Sequence, residues 1–243
     1  AFLGPERTAA HFRRRLTEFL DAAPGGWPCW SFSNHDVTRH ATRWTPPGGD
    51  AEAVARQSIA LLCSFPGTIG IYQGEELGQT ETEIEFHELR DLGYIAFWPE
   101  IRGRDGCRTP MVWEHDRPAG GFTTGTPWLP VKPPQLARAA DLQRGRAGSV
   151  LEAYRETLAF RRATPALREG TTGFLDLPEP VLGLRRSMGR GGITALFNLS
   201  ERPLTLALRG EARLAGPHAA TLDGTRLLLP AHGFAYLAHG GAL

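Results

Sequence analysis

Asn34-His35-Asp36 groups three chemistry-bearing side chains, and with Ser33 it follows the aromatic, apolar run Trp27 to Phe32. A carboxylate accepts hydrogen bonds and an imidazole donates or accepts them, so the pair suits acid–base work, a nucleophilic triad, a metal site or contact with polar substrate groups. It equally suits a capped turn, because Asn and Asp bond readily to nearby backbone. No G-x-S-x-G elbow supplies a triad serine, and no H-E-x-x-H or histidine cluster supplies zinc ligands. No D-x-D-x-D-G loop offers calcium an oxygen cage. Two more groups carry charge in suggestive places. Gly74-Glu75-Glu76 presents adjacent carboxylates that either bind sugar hydroxyls or are simply solvated. Arg104-Asp105 with Arg108 is either pocket-lining or an ion-paired structural loop. The sequence calls for no metal and no cofactor.

These residues need elements to position them. Phe12, Leu16, Phe19 and Leu20 recur at helical spacing and predict a helix over residues 8–23, closed by Pro24-Gly25-Gly26. Trp27 to Phe32 reads as a short buried strand running into the Asn34-His35-Asp36 loop. Asp50 is placed to cap a helix over 51–63, with Val54, Ala55, Ile59 and Leu62 on one face. The apolar run Thr68 to Tyr72 reads as a second strand, running into Gln73-Gly74-Glu75-Glu76. Strand, helix, strand in this order implies a parallel sheet with crossover helices, and chemistry in such folds gathers in the loops after the strands. Residues 80–148 show no sustained periodicity, which in so long a stretch points to function. Ser149-x-x-Glu152 is a capping-box signature for the helix that carries Leu151, Tyr154 and Leu158, with Arg161 and Arg162 in its last turn and Pro165 beyond it. After Gly170 the period changes to two. Strands are expected at Val181–Arg186, Ile193–Leu199, Leu204–Leu208, Arg226–Leu229 and Phe234–Leu237, in an antiparallel β domain.

Composition narrows the function classes. The chain has 243 residues, with 27 Lys plus Arg against 26 Asp plus Glu, a net charge of +1. That balance argues against a dedicated nucleic-acid binder. No apolar run of about 18 residues exists to cross a membrane. Cys29, Cys63 and Cys107 are widely spaced with no C-x-x-C, so three reduced, buried thiols and a cytoplasmic location are expected. The first residues, AFLGPERTAA, lack an initiator Met and fit no signal peptide, so a processed start or a piece of a longer polypeptide is expected.

Taken together the blocks are more specific than any one of them. Phe32-Ser33-Asn34-His35-Asp36 with Arg39 resembles the F-x-N-H-D segment of the α-amylase superfamily, glycoside hydrolase family 13, at the end of its seventh barrel strand. Phe65 to Gly78 resembles that family's strand-eight segment. Gly103-Arg104-Asp105-Gly106-Cys107-Arg108-Thr109-Pro110-Met111-Val112-Trp113 resembles the R-D-x-x-R-T-P-M-x-W loop of its α-glucosidase and oligo-1,6-glucosidase branch, a likeness continued by Gly121-Phe122-Thr123 and Pro127-Trp128-Leu129. The resemblance implies an α/β fold: the C-terminal part of a (β/α)8 TIM barrel, about strands seven and eight with helices six to eight, over residues 1–168. An antiparallel β-sandwich domain over 169–243 then follows.

The resemblance also implies roles. Asp36 matches the third catalytic carboxylate, which bonds sugar hydroxyls as oxocarbenium character develops. His35 matches the histidine beside it, and Arg104 and Arg108 match arginines of the same pocket. Tyr72 and Trp113 offer apolar walls, with core packing the favoured reading for each. The family's nucleophile, an Asp in G-x-R-x-D, and its acid/base Glu both precede the N-H-D block, and neither has a counterpart in the 34 residues before His35. The expectation is therefore a retaining α-glucosidase acting on terminal α-linked glucose of short oligosaccharides, of which this chain is an inactive portion. Its remaining barrel strands would come from upstream or from another chain. A transglycosylase, such as a trehalose-forming enzyme, and a non-catalytic carbohydrate-binding or structural relic are the alternatives.

Overall fold

The computed structural model describes residues 2–210 and 212–240. The helices are α1 (Ala9–Ala22), α2 (His40–Arg43), α3 (Ala51–Ser64), α4 (Leu92–Ile95), α5 (Pro133–Leu136), α6 (Ala140–Gln143), α7 (Val150–Ala163) and α8 (Pro165–Glu169). The strands are β1 (Cys29–Trp30), β2 (Thr68–Ile69), β3 (Thr171–Phe174), β4 (Val181–Met188), β5 (Gly191–Asn198), β6 (Leu204–Ala207), β7 (Arg213–Leu214), β8 (Thr221–Asp223), β9 (Arg226–Leu229) and β10 (Phe234–Gly240). Contacts divide the chain into two compact units, one of residues 1–30, 56–70 and 153–243, the other of 31–55 and 71–152.

In the first unit α1 starts at Thr8, whose hydroxyl accepts the His11 N–H at 3.1 Å. The Glu179 carboxylate caps the same end from far along the chain, accepting the N–H groups of Ala9 at 3.1 Å and Ala10 at 2.8 Å. A negative charge at a helix N-terminus is favoured by the peptide dipoles. Phe12 and Leu16 are fully buried on the inner face, and Phe12 packs with Phe2 and Phe65. β1 and β2 pair in parallel, Cys29 opposite Thr68 and Trp30 opposite Ile69. Each is two residues long, shorter than the apolar runs suggest, and the runs are only partly buried: Trp27, Cys29, Thr68 and Ile71 are exposed. Gly67 makes the pairing possible. Its φ is +86°, and a Cβ there would lie 2.5 Å from the Pro28 carbonyl oxygen.

The β strands form two antiparallel sheets, β3-β4-β5-β10-β7 and β6-β9-β8. β4 and β5 are joined by the two-residue turn Gly189-Arg190, with Gly189 at φ +60°, the left-handed conformation that tight hairpins require. β9 shows the period-two logic directly, with Leu227 and Leu229 fully buried and Leu228 exposed. Those leucines meet Leu196 of β5 and Ala235 and Leu237 of β10 in one core shared by both sheets, as in a sandwich. α3 is fastened to this domain by polar bonds. The Gln57 side-chain amide donates to the Asn198 and Gly233 carbonyls at 2.6 and 3.1 Å, and Tyr236 Oη donates to the Ala60 carbonyl at 2.6 Å. At its C-terminal end two buried arginines replace solvent. Arg161 donates to the carbonyls of Cys63, Phe65, Gly67 and Leu167, and Arg186 donates to those of Ser64 and Gly170.

The second unit is built largely of loops and single helical turns. Asp50 Oδ1 caps α3 by accepting the N–H groups of Glu52 and Ala53, as the sequence suggests. The aperiodic stretch is ordered by buried side-chain amides that supply hydrogen bonds where ladder bonds are lacking. Gln79 donates to the Gln135 carbonyl at 3.1 Å, Gln135 to Thr109 Oγ1 at 2.7 Å, and Gln143 to the Leu77 carbonyl at 3.0 Å. At the start of α7 one arm of the capping box forms: Ser149 Oγ accepts the Glu152 N–H at 3.3 Å. The Glu152 carboxylate bonds the Gly145 N–H at 2.8 Å.

Candidate active site

All four residues singled out as site candidates lie in the second unit and converge. Asn34 Oδ1 accepts the Asp36 N–H at 2.9 Å, so the capped turn is real and it is what presents the carboxylate. Arg104 Nη1 donates to Asp36 Oδ1 at 2.9 Å, and Arg108 Nη2 reaches the same oxygen at 3.4 Å. Arg108 Nε holds the His35 carbonyl at 2.7 Å. The other carboxylate oxygen, Oδ2, faces His35 Nε2 at 3.4 Å. Asp36 and His35 are exposed, with side chains 47% and 66% accessible, whereas Arg108 is 19% accessible. The arginines therefore form a wall behind an open acid.

The hydrogen bond from Arg104 holds the Asp36 carboxyl below the usual carboxylate range, with the charges of His35, Arg104 and Arg108 acting in the same direction. Asp36 is thus an anion at neutral pH. Oδ1 is committed to guanidinium groups, while Oδ2 is open to accept hydroxyl hydrogens, with His35 beside it as a further hydrogen-bonding partner.

Three residues that sequence reasoning did not assign to the site build its support. Arg39 is 2% exposed; its Nη1 and Nη2 donate to the Gln73 and Cys107 carbonyls at 2.7 and 2.9 Å, and its N–H donates to Glu81 Oε2 at 2.9 Å. It joins the loop after Asp36 to both later loops. Asp91, 8% exposed, grips Arg104 side-on, accepting from Nε at 2.7 Å and Nη2 at 3.1 Å. Asp105, fully buried, accepts the N–H groups of Arg90 and Asp91 at 2.6 and 2.9 Å. Asp91 lies in the aperiodic stretch outside any motif, so no local signal marks it. Asp105 and Arg39 lie inside the quoted motifs, but their types alone do not reveal that they face inward.

Several expectations need correction. Trp113 is 47% exposed and not a core residue. Tyr72 is half-buried, with its hydroxyl donating to the Cys107 carbonyl at 3.2 Å and its ring 5.2 Å from the Arg39 guanidinium. Glu75 is neither solvated nor open to a sugar: it is 2% exposed and lies 3.6 Å from His40 Nδ1, which also contacts Ser33 Oγ at 2.9 Å. Burial also pushes the Glu76 carboxyl up. Cys63 and Cys107 are buried free thiols as expected, but Cys29 is exposed. A cavity of about 250 Å³ in this unit is lined by Thr42, Glu81, Ile84, Arg102 and Gly103 among others, and Asp36 is not part of it. His115, Asp116 and Asp141 bring ligand-type atoms within 4.8 Å of one another, but all three are exposed. Asp141 is occupied in bonds to His115 N–H, His115 Nδ1 and the Leu142 N–H. The carboxylates that support Asp36, Asp91 and Asp105, are both buried, Asp91 in its pair with Arg104 and Asp105 against the Arg90 and Asp91 N–H groups. No helix among the described residues is long and apolar enough to cross a membrane.

Comparison with known proteins shows the family of the chain. Residues 6–170 match the alpha-amylase family, "Alpha amylase, catalytic domain". The chain belongs to that family. It is 47% identical over 208 residues to a probable alpha-glucosidase of Rhizobium meliloti (strain 1021), covering 85% of this chain and 38% of that protein. It is 27% identical over 213 residues to the oligo-1,6-glucosidase of Parageobacillus thermoglucosidasius, covering 79% and 38%. The crystal structure of an alpha-glucosyl transfer enzyme, XgtA, superposes with a TM-score of 0.90 at 44% identity, over 98% of this chain and 45% of that one. The chain thus spans less than half the length of these relatives.

Proposed function

We propose that this chain is the C-terminal portion of a retaining α-glucosidase that removes terminal α-linked glucose from short oligosaccharides, with Asp36 as its transition-state carboxylate. In this reading β1 and β2 are the seventh and eighth strands of a (β/α)8 barrel over residues 1–168, and residues 169–243 are the C-terminal β domain. The remaining strands, nucleophile and acid/base belong to polypeptide outside this chain. The observation that carries the reading is the Asp36 carboxylate, held ionised by Arg104 at 2.9 Å beside His35 in an exposed loop of an alpha-amylase-family chain. The relatives named above as glucosidases support it.

Retaining glycosidases place nucleophile and acid/base carboxyls ~5 Å apart around an oxocarbenium-like transition state. A third carboxylate need not touch the reacting bond. Accepting hydrogen bonds from ring hydroxyls through Oδ2, Asp36 places negative charge where positive charge grows, and His35 contributes a further polar contact. The Arg104 bond fixes the carboxylate rotamer in advance, which preserves its alignment during the reaction.

The test expresses this chain with its upstream coding region and assays maltose, isomaltose and sucrose beside Asp36→Asn. The substitution should lower kcat about a hundredfold or more, the scale of losing one preorganised electrostatic contact. Near-normal turnover by the variant would remove the role assigned to Asp36. The likeness to a glucosyl-transfer enzyme favours a second reading, transfer of glucose to another sugar instead of water. Product analysis separates the two: monosaccharides alone, glucose from maltose and isomaltose and glucose with fructose from sucrose, support hydrolysis, and new oligosaccharides support transfer.

A further inference from the structure

Arg104 offers Asp36 only one of its nitrogens. The other two that are engaged, Nε and Nη2, are taken by Asp91 in a side-on pair at 2.7 and 3.1 Å. A planar guanidinium gripped along one edge has its third nitrogen fixed in direction, because all three share one rigid plane. That third nitrogen, Nη1, is the one 2.9 Å from Asp36 Oδ1. The grip is itself anchored, since buried Asp105 accepts the Asp91 N–H at 2.9 Å and the neighbouring Arg90 N–H at 2.6 Å. The Tyr94 ring lies 5.4 Å from the Arg104 guanidinium carbon, another partner for the guanidinium. Charge follows the same plan. Asp91 Oδ2 also lies 3.8 Å from Arg108 Nη1, so two carboxylates and two guanidiniums make a balanced quartet. Without Asp91, a single exposed carboxylate would face two cations.

Resting on the α-glucosidase reading, we infer that Asp91 is a positioning residue for the reaction: it aims Arg104 so that one hydrogen bond fixes Asp36 Oδ1 and Oδ2 stays open to the glucose hydroxyls. Asp91 touches no substrate. It acts through Arg104 and is itself held by Asp105.

Two measurements on the polypeptide carrying this chain and its upstream region test this. The first is a double-mutant cycle on glucoside hydrolysis. Asp91→Asn should lower kcat about tenfold to a hundredfold with KM changed less than about threefold, the scale of misaiming a catalytic contact. In an Arg104→Gln background the same substitution should change kcat less than about twofold, because its hydrogen-bonded route to Asp36 is cut and only the longer 3.8 Å contact with Arg108 remains. Asp91→Glu, which keeps the charge and both acceptor oxygens, should recover part of the loss. A full additional loss in the Arg104→Gln background would overturn the proposal. The second measurement needs no activity: ¹⁵N NMR of the Arg104 guanidinium. Its Nε–H and Nη signals should be resolved, with slowed rotation, in the wild type and in Asp36→Asn. They should collapse to fast exchange in Asp91→Asn. Locked signals in Asp91→Asn would sink the proposal even if that variant folds with altered stability. Should the wild type hydrolyse no glucoside, the functional reading falls alone, and the NMR comparison still decides whether Asp91 aims Arg104 at Asp36.

Discussion

Arg39 offers the sharpest test of how the candidate site is held. Its guanidinium lies 2% exposed and makes two charge-assisted hydrogen bonds, to Gln73 and Cys107, while stacking 5.2 Å from the Tyr72 ring. Hydrogen bonds to charged groups are worth about 1.5–3 kcal/mol each, and the two carbonyls lose their cationic donor when it is removed. Against this stands the cost of keeping a cation from water, visible as burial pushing the Arg39 pKa down. Losing both bonds costs about 1.5–3 kcal/mol each, less what the Tyr72 hydroxyl still donates to the Cys107 carbonyl. Arg39→Ala should therefore lose about that much from the second unit, and Arg39→Met, which restores the packing of the stem, should recover only a minor part. Urea unfolding followed by Trp44 and Trp113 fluorescence would measure it, since both residues belong to this unit. A loss below about 1 kcal/mol in Arg39→Ala would refute the idea that this guanidinium joins the three loops. So would equal stability of Arg39→Met and wild type, which would assign its worth to packing.

Other outcomes follow from single contacts. Gly67→Ala places a methyl 2.5 Å from the Pro28 oxygen on a backbone at φ +86°, so the β1–β2 pairing should fail. Amide exchange at Thr68 and Gly70, which donate to Pro28 and Trp30, should then accelerate, and unchanged protection would contradict the reasoning. The depressed Asp36 pKa means its ion pairs stabilise the fold above the ordinary carboxylate range of about 4 and lose that contribution as pH falls through the lower folded value. The stability gap between wild type and Asp36→Asn should accordingly be widest near neutral pH and close in acid; a gap that widens on acidification would reverse the assignment.

Where apolar periodicity carries the structure, the sequence is a faithful guide. Phe12 and Leu16 on α1, Ile59 and Leu62 on α3, and Leu227 and Leu229 on β9 all point inward at the spacing their period demands. The same holds for the Asp50 cap, a purely local bond. Strand length was less legible: the apolar run Thr68 to Tyr72 suggests one buried strand, yet only Thr68 and Ile69 pair and Thr68 and Ile71 are exposed, because a strand ends where its partner ends. Short edge segments such as β7 and β8 carry too few residues to show a period. The candidate site was readable through types and order: Asn34, His35, Asp36, Arg104 and Arg108 come together although 73 positions separate His35 from Arg108. What remained hidden was the direction of charged side chains in an aperiodic stretch. Asp91 faces inward only because Asp105 and Arg104, 14 and 13 residues later, return to meet it.

The clasp at the end of α3 has a different character from the acid-centred network. Arg161 and Arg186 are met by peptide oxygens, and peptide oxygens do not titrate in the range where proteins live. Burial brings Arg186 down to about 10, still far above neutrality, so it keeps its proton at every milder pH. Acid that discharges Asp36 therefore leaves the partners of Arg161 and Arg186 unchanged. The molecule is left with one seam that souring loosens and another that is indifferent to it.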